Sequence, residues 1–480
     1  MTGTDAARAG TRGARGHAVV VGGSLTGLLS AWVLAEHLDV TVVERDPVTE
    51  GPEFRPGVPQ GRHAHALMEG GQRALENLLP GILDELVAAG ATRTPLPTRL
   101  AWLDRNGWNR IGNEGRVSFL TCTRPLLNWT IRQRVATHPR ISFVHGTTVT
   151  GLVHEAGAVC GIAVRPKGGE PSEIAAELVV DASGRGSLTP KWLAELGYPE
   201  PEDEIIDAGL AYATRLFKRT PRAAAQKFNA VTVQPVPENP TMGLLVPVEN
   251  DQWLLALGGM RGHEPPTDVE AWMDFAKNLR TPLIHELVSE AEPVTQVFGF
   301  RNTQNRRRHY ERTARHPEGL LVLGDAACTF NPIYGQGMTA ASREAVGLRA
   351  LLAKHGTGPG LARKAQKMVF KTTANPWLMA TSEDRSYPTT VGGKKIGLAD
   401  KVLSWYISRL NSEGLVNPKI GANFFAVVSL ADPPAALFKP AMILAALRRP
   451  YSRRGGAVPA PVLAPALQAV RDQAVREGVR

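Results

Sequence analysis

Gly22, Ser24 and Gly27 stand where an apolar strand, Val19 to Val21, breaks before a helix-spaced run from Leu28 to Leu38. A glycine-rich turn in that place lets the chain reverse tightly, brings backbone N–H groups close to a pyrophosphate and seats the helix on the strand. Serine holds the middle position here. Its small hydroxyl side chain suits a place beside phosphate, provided that its φ is negative. Glu44 ends the next apolar strand, where a carboxylate accepts hydrogen bonds from a ribose diol and repels a 2′-phosphate. A glycine turn with a purely structural role is the plain alternative, and a second Gly-rich segment weighs against it. In LLVLGDAACTFNPIYGQGM (Leu320 to Met338) an apolar strand runs into Gly324-Asp325, and Pro332, Gly335, Gln336, Gly337 and Met338 then open a helix. Such a helix start offers backbone donors and a positive dipole end to an anionic group, while Asp325 can hold a hydroxyl. Two turns of this kind, far apart in the chain, suit a dinucleotide laid across a whole domain.

The elements that must position these residues read as a doubly wound sheet with an insertion. Strand, helix and strand fill residues 17 to 46, a helix is expected from Gly71 to Leu86, and another from Pro125 to Thr137 with Leu126, Leu127, Ile131 and Val135 on one face. Short strands follow at Val149 to Val153, Val159 to Val164 and Leu178 to Val180, the last leading into DASGRGS from Asp181. Between Gly209 and Gly262 the pattern changes to alternation, which predicts an antiparallel sheet. On its LAYATRLFK strand, Tyr212, Thr214 and Leu216 share one face and Arg215 and Phe217 the other. The strand reads either as the wall of a substrate pocket or as an ordinary sheet face. Two helices follow it, and everything beyond Gly356 reads as helical with proline breaks. The expected division is an arm (1–16), a discontinuous nucleotide-binding domain (17–70, 116–198, 304–356), a substrate domain (71–115, 199–303) and a helical carboxyl-terminal region (357–480).

Composition bounds the rest. The chain has 480 residues, 43% of them apolar and 21% charged, which is enough to bury a large core. Its net charge of +10 concentrates in the amino-terminal arm, in RNTQNRRRHYER (Arg301 to Arg312) and in RRPYSRR (Arg448 to Arg454). None of these alternates with aromatic residues as a single-strand nucleic-acid groove does, so they read as solvated basic faces and no nucleic-acid partner is expected. Three scattered cysteines make neither a disulfide framework nor a zinc site and point to a reducing cytoplasm. The amino terminus lacks the apolar core of a signal peptide, and the late apolar stretch 435–447 is interrupted by Lys439 and Pro440, so no membrane span is expected. His63 and His65 have no further ligand cluster, which speaks against a metal. Thr26 stands where a nucleophile elbow needs glycine, and the Trp-x-Trp-x-Ile-Pro run of flavin halogenases is missing.

Gly22-x-Ser24-x-x-Gly27, the segment Asp181-Ala-Ser-Gly184-Arg185 and Gly324-Asp325 together resemble the three FAD motifs of single-component flavoprotein monooxygenases of the p-hydroxybenzoate hydroxylase fold. The strings RPGVPQGRHAHAL, RPLLNWTIRQRV, YATRLFK, NRRRHYER and FNPIYGQGM are similar to the actinobacterial flavin epoxidases of polyether antibiotic biosynthesis (lasalocid and monensin type), themselves similar to squalene epoxidase. The resemblance covers about residues 17 to 450. It implies an α/β protein: a Rossmann-like FAD-binding domain with an inserted antiparallel substrate sheet and a helical carboxyl-terminal region.

By position, the resemblance implies that Gly22, Gly23, Ser24, Leu25, Thr26 and Gly27 hold the pyrophosphate and Glu44 the adenosine ribose. Arg45, Arg124 and Val149 would lie along the adenosine half, with Asp181 in the second motif. Gly324 and Asp325 would meet the ribityl and pyrophosphate region, Pro332 and Gly335 to Met338 the isoalloxazine, and Arg62 the flavin. The implied reaction is epoxidation of an apolar polyene, polyketide in origin, by O₂ through a flavin C4a-hydroperoxide, with NADPH or NADH reducing the flavin directly or through a flavin reductase. No protein residue is assigned to catalysis. Arg62, Tyr212, Arg215 and Phe217 are the expected flavin or substrate neighbours. Aromatic hydroxylation, prenyl-chain reduction and a flavin-binding sensor are the alternatives. The basic last helix suggests docking on a membrane or an acyl carrier protein, against the plainer expectation that it packs on the FAD domain.

Overall fold

The computed structural model describes residues 16–112, 115–394, 397–448 and 458–463. The arm expected at 1–16, Gly16 apart, and all of the basic stretch after Arg448 lie outside the described residues.

Ala18, Val19 and Val20 are fully buried because their strand, His17–Val21, is the centre of a five-stranded parallel sheet. Its neighbours are Leu178–Asp181 and then Leu320–Val322 on one side, and Asp39–Val43 and then Ile141–Val144 on the other. Both faces are covered, which is why these strands read as unbroken apolar runs. The sheet is packed by α1 (Leu25–Leu34), with α2 (Glu69–Leu78) and α3 (Ile82–Ala88) farther out, by α4 (Arg124–Ala136), and by the strands Thr147–Glu155 and Ala158–Pro166. The single helix expected from Gly71 to Leu86 is therefore two, broken at Pro80-Gly81, where Gly81 takes a left-handed conformation. Leu75, Leu79, Ile82 and Leu86 join the same core as the parallel sheet, although the boundary expected at residue 71 divides them from it.

The short helix α5 (Thr189–Glu195) leads toward a second, seven-stranded sheet, between two of whose strands α6 (Pro221–Ala224) lies in the chain, and which is flanked by α7 (Val269–Lys277) and α8 (Leu283–Val288). The strands Ala211–Lys218, Gln252–Gly259, Thr241–Val248 and Ala230–Val233 are antiparallel as expected. Leu100–Asp104 then pairs in parallel with Ala230–Val233, so the sheet is mixed. A parallel pair needs a long connection, and the chain from 105 to 229, most of it in the other domain, supplies one.

The chain re-enters the first core through α9 (Gly337–His355) and α10 (Leu361–Asp384), and ends with α11 (Leu398–Gly414), α12 (Pro418–Val428) and α13 (Pro440–Leu447). The last helix was expected on the FAD domain. It packs with α11 and α12 over the outer face of the mixed sheet, where Leu100, Trp102, Val246 and Leu254 leave an apolar surface and Phe425 of α12 meets Trp102 edge-on at 4.9 Å. The basic run is corrected too. Arg307 and Arg308 are each only 6% exposed: Arg307 lies over the rings of Phe370 and Trp377, and Arg308 donates to the Ala326 carbonyl at 2.7 Å.

Candidate active site

Gly22 has φ of +100° and donates its N–H to the Val43 carbonyl at 2.9 Å. A Cβ here would stand 2.7 Å from the Ala182 carbonyl, so only glycine lets the first turn lie against the segment that follows Asp181. Ser24 has φ of −93° and begins α1, but its hydroxyl caps nothing. It accepts a hydrogen bond from Arg124 Nη2 at 3.1 Å instead, which explains a serine in the middle position. Leu25 is buried in the core, and Gly27 packs on the Gly22 carbonyl. Gly324, with φ of +58°, lies directly against Thr26: an added Cβ would run into the threonine side chain. The two glycine turns, far apart in sequence, are thus in contact.

Glu44 is buried and accepts from the Gly23 and Asp46 N–H groups at 2.8 and 3.0 Å and from Arg55 Nη1 at 2.9 Å. Burial alone would raise its pKa, but the Arg55 cation and these hydrogen bonds hold it below the usual range. Arg55 also donates to the Gly23 carbonyl at 3.3 Å, and nothing about its place in a turn-rich loop marks it in sequence. Between the first turn, this loop and α4 lies a cleft of about 400 Å³, lined by Gly23, Phe54, Arg55, Arg124, Asn128 and Arg132 among others. Arg45 is exposed, and Val149 sits opposite Val164 in a separate three-stranded sheet, outside the cleft lining. Arg124 is buried, which pulls its guanidinium down to about 10 against the opposing influence of Asp325, and its Nε has no partner. The neighbouring Asn128 Oδ1 is also unpartnered.

Asp181 does not present its carboxylate to a ligand. It accepts from Ser183 N and Oγ, Ser187 Oγ and Thr189 Oγ1, and so organises the turn after its own strand. Asp325 behaves differently. Burial raises its pKa, Arg185 and Arg124 oppose the rise, and its carboxylate has no hydrogen-bond partner among the described residues. Beside it Glu344, from α9, accepts the Gly324 N–H at 2.8 Å, and burial pushes its carboxyl up to about 8. Nothing in the helical spacing of α9 singles Glu344 out.

At the start of α9 the N–H groups of Gly337, Met338 and Thr339 have no acceptor among the described residues, since the first helical bond is Ala340 N–H to Gln336 O. Gln336 Oε1 and Thr339 Oγ1 are buried and unpartnered, and a Cβ on Gly337 would enter open space. The preceding loop, with Pro332, is fixed from behind. Asp384 accepts from Tyr334 Oη at 2.6 Å, from Asn331 Nδ2 at 3.0 Å and from Asn305 Nδ2 at 2.5 Å, and burial raises its carboxyl to about 6.

Arg62 is held between the rings of Phe54 and Phe298, 4.7 and 4.4 Å from their centroids. The next residue, His63, shares a 2.9 Å hydrogen bond with Thr214 and meets Tyr212 edge-on at 4.6 Å and Phe300 at 5.4 Å. Burial, helped by the Arg62 charge, lowers its imidazole to about 4, so it is neutral at pH 7. Tyr212 belongs to a buried cluster with Leu210, Met242, Met260 and Tyr387 against which Ile333 packs, and Ile333 is two residues from Gly335. Arg215 and Phe217 point to the other side of the sheet. Phe217 stacks on Trp272 of α7, and Arg215 donates to the Thr295 carbonyl. They are separated from the Tyr212 face by the sheet itself, as alternation along a strand requires.

The sequence model described as FAD binding domain matches residues 16–366, which include both glycine turns, the Asp181 segment and Glu344. The chain belongs to the FAD binding domain family. It is 33% identical over 384 residues to "Protein Rv3254" of Mycobacterium tuberculosis (strain ATCC 25618 / H37Rv), covering 77% of this chain and 80% of that one. It is 28% identical to 6-methylpretetramide 4-monooxygenase of Streptomyces rimosus over 71% of this chain and 76% of the relative. Among solved structures it is similar to PqsL, a probable FAD-dependent monooxygenase from Pseudomonas aeruginosa, with a TM-score of 0.57 and 17% identity over 77% of this chain and 97% of that one. The fold is of the p-hydroxybenzoate hydroxylase type. FAD fits the residues present. The cleft has the cations for an adenosine and pyrophosphate half, with the ribose-type carboxylate Glu44 behind Gly23 and Arg55, and Asp325, the unpartnered Gln336 and Thr339 oxygens and the α9 N–H groups would offer hydrogen bonds to a ribityl chain and ring edge.

Proposed function

We propose that this chain is an FAD-dependent monooxygenase acting on an apolar substrate, and that its reaction is epoxidation of an alkene on a polyene chain of polyketide origin. When bound and reduced by NADPH or NADH, FAD supplies the activation of O₂, from which one oxygen atom enters the substrate and the other leaves as water. The observation that carries this reading is the character of the wall beyond Gly335: Tyr212, Met242, Phe300 and Ile333 are apolar or aromatic, and the imidazole among them is uncharged. The nearby cations are engaged elsewhere, Arg62 between two rings and Arg185 with Asn302 and the Gln304 carbonyl. Both keep their charge, but the contacts they make are with the protein's own rings, amide and carbonyl rather than with the wall. The protein's part is to keep this side dry and hold the alkene in line with the ring edge that the α9 start positions.

Hydroxylation of an aromatic ring is the second reading. The Streptomyces rimosus relative is named 6-methylpretetramide 4-monooxygenase, and neutral His63 is able to accept a hydrogen bond from a phenol. Turnover under ¹⁸O₂ with a panel of polyenes, polycyclic aromatics and prenyl lipids separates these outcomes. One labelled oxygen on a polyene alkene is the expected result. Label on an aromatic ring selects the second reading, and a gain of hydrogen alone, or flavin that no reductant changes, overturns monooxygenation.

A further inference from the structure

The first turns of α11 leave large apolar side chains in solvent: Leu398 is 80% exposed, and Val402 and Trp405 are at least half exposed. Their spacing puts them on one side of the helix. On α13, Leu444 and Leu447 are 61% and 66% exposed, and Phe438, just before it, is half exposed with its ring stacked 5.2 Å from that of Tyr406 on α11. The two helices are joined directly, since Arg409 Nε donates to the Ala446 carbonyl at 3.0 Å. These residues therefore form one apolar face, larger than scattered surface leucines would make. Its rim carries the exposed lysines Lys401 and Lys439, with Arg448 beside Glu413. The acids nearby are already engaged: Asp400 accepts from the Gly397 N–H at the start of α11, and Glu413 is buried with Arg448 at 3.8 Å.

We infer that the α11–α13 face docks on an anionic lipid surface. A second copy of the chain is the weaker occupant, because a twofold contact sets basic rim against basic rim, whereas anionic headgroups complement it. Tryptophan at such a boundary keeps its ring in the apolar layer and its N–H in the polar one. No helix among the described residues is long and apolar enough to cross a membrane, so the contact lies in the interface plane. The underside of this helical layer shares its core with Ala66 and Met68, and Met68 Cε is the atom that a Cβ on Gly335 would reach at 2.9 Å. Under the proposed function, a lipid-dissolved substrate meets apolar groups from the bilayer to the flavin loop, but the docking itself stands without that reading.

The test is co-sedimentation of the full-length, flavin-loaded chain with vesicles of phosphatidylcholine alone and of phosphatidylcholine with phosphatidylglycerol in a two-to-one ratio. Two lysines near the surface, at about 1 kcal/mol each, imply partitioning at least about tenfold stronger on the anionic vesicles, weakening with salt. The double variant Trp405→Asp, Leu444→Asp should lose at least tenfold of that partitioning while keeping its flavin absorbance and far-ultraviolet dichroism. Failure of the full chain to pellet, equal pelleting on both vesicles, or pelleting that ignores the double substitution overturns the inference. So does a solution dimer, seen by light scattering, that the same substitutions split.

Discussion

At one end of the cradle, where the first glycine turn meets α4, the groups facing the cleft include Arg55, Arg124 and Arg132, with buried Glu44 bonded to Arg55 behind them. At the other, where α9 begins, the groups left open are an amide oxygen, a hydroxyl and three backbone N–H groups, and the nearby imidazole is held neutral. Under the proposed function both ends serve one cofactor, yet one is lined by cations and the other chiefly by dipoles beside the single open carboxylate of Asp325. The difference follows what each must do. Charge recognises a pyrophosphate cheaply at a partly open cleft, while a fixed charge beside the reacting ring would draw water into a place that has to stay dry. The two ends are held in register by close contacts, Gly22 on the Ala182 backbone of the Asp181 segment and Gly324 on the Thr26 side chain of the first turn.

The largest effect should come from breaking that register. Gly324→Val forces a β-branched side chain to φ of +58° and into Thr26, each a cost of roughly 1–3 kcal/mol. FAD affinity should fall by about a hundredfold or more, read as flavin retained on desalting. The smaller Gly324→Ala should regain part of the loss when Thr26→Ala is added, since the clash is with that side chain. Normal flavin retention by Gly324→Val would mean that the turns are not interlocked, and the comparison between the ends would lose its common frame.

The next test sets the ends against each other. Arg124→Met removes a buried cation that reaches Ser24 and faces Asp325, and hydrogen bonds to charged groups are worth about 1.5–3 kcal/mol. FAD binding by calorimetry should weaken about ten- to hundredfold and become less sensitive to salt. Thr339→Val keeps shape and removes one neutral hydroxyl, so it should cost less than about tenfold with the salt dependence unchanged. Equal losses with equal salt responses would erase the distinction.

How much of this was legible in the sequence depends on the range of the interaction. The parallel strands were readable because burial on both faces leaves unbroken valine runs, and the glycine turns because their residues are local to the turn. Ser24 was recognised as tolerable, but its reason, Arg124, lies a hundred residues on and is visible only in the fold. Arg55 and Glu344 were missed for the same cause: each acts on a glycine turn from another element, and no local pattern announces it. Asp181 was read as a ligand because motif position does not reveal that its own loop already satisfies it. Arg307 and Arg308 read as solvated because a run of charge carries no sign of the rings and carbonyl that bury it. The two faces of the Ala211–Lys218 strand were correctly separated by alternation, whereas which face looks toward the flavin loop is set by packing of α7 and of the His63 loop.

His63 gives the finest test of the neutral end, because it is the group that charges first if that end is not as dry as its packing implies. Its imidazole stands at about 4 in the folded chain against 6.5 in the open one, lowered by burial and then by Arg62. The folded state therefore disfavours the proton. The stability contribution is whole above pH 6.5 and is lost as pH falls from 6.5 through about 4. His63→Asn keeps a polar partner for Thr214 and cannot charge. At pH 7 its FAD affinity should differ from the parent's by less than about threefold. The melting temperature of the parent should then drop faster than that of the variant across this window, although other buried acids move both curves together. Parallel curves between pH 6.5 and 4 would mean that His63 protonates as readily as in water. In that case solvent reaches the Tyr212 face, and both ends of the cradle are wet.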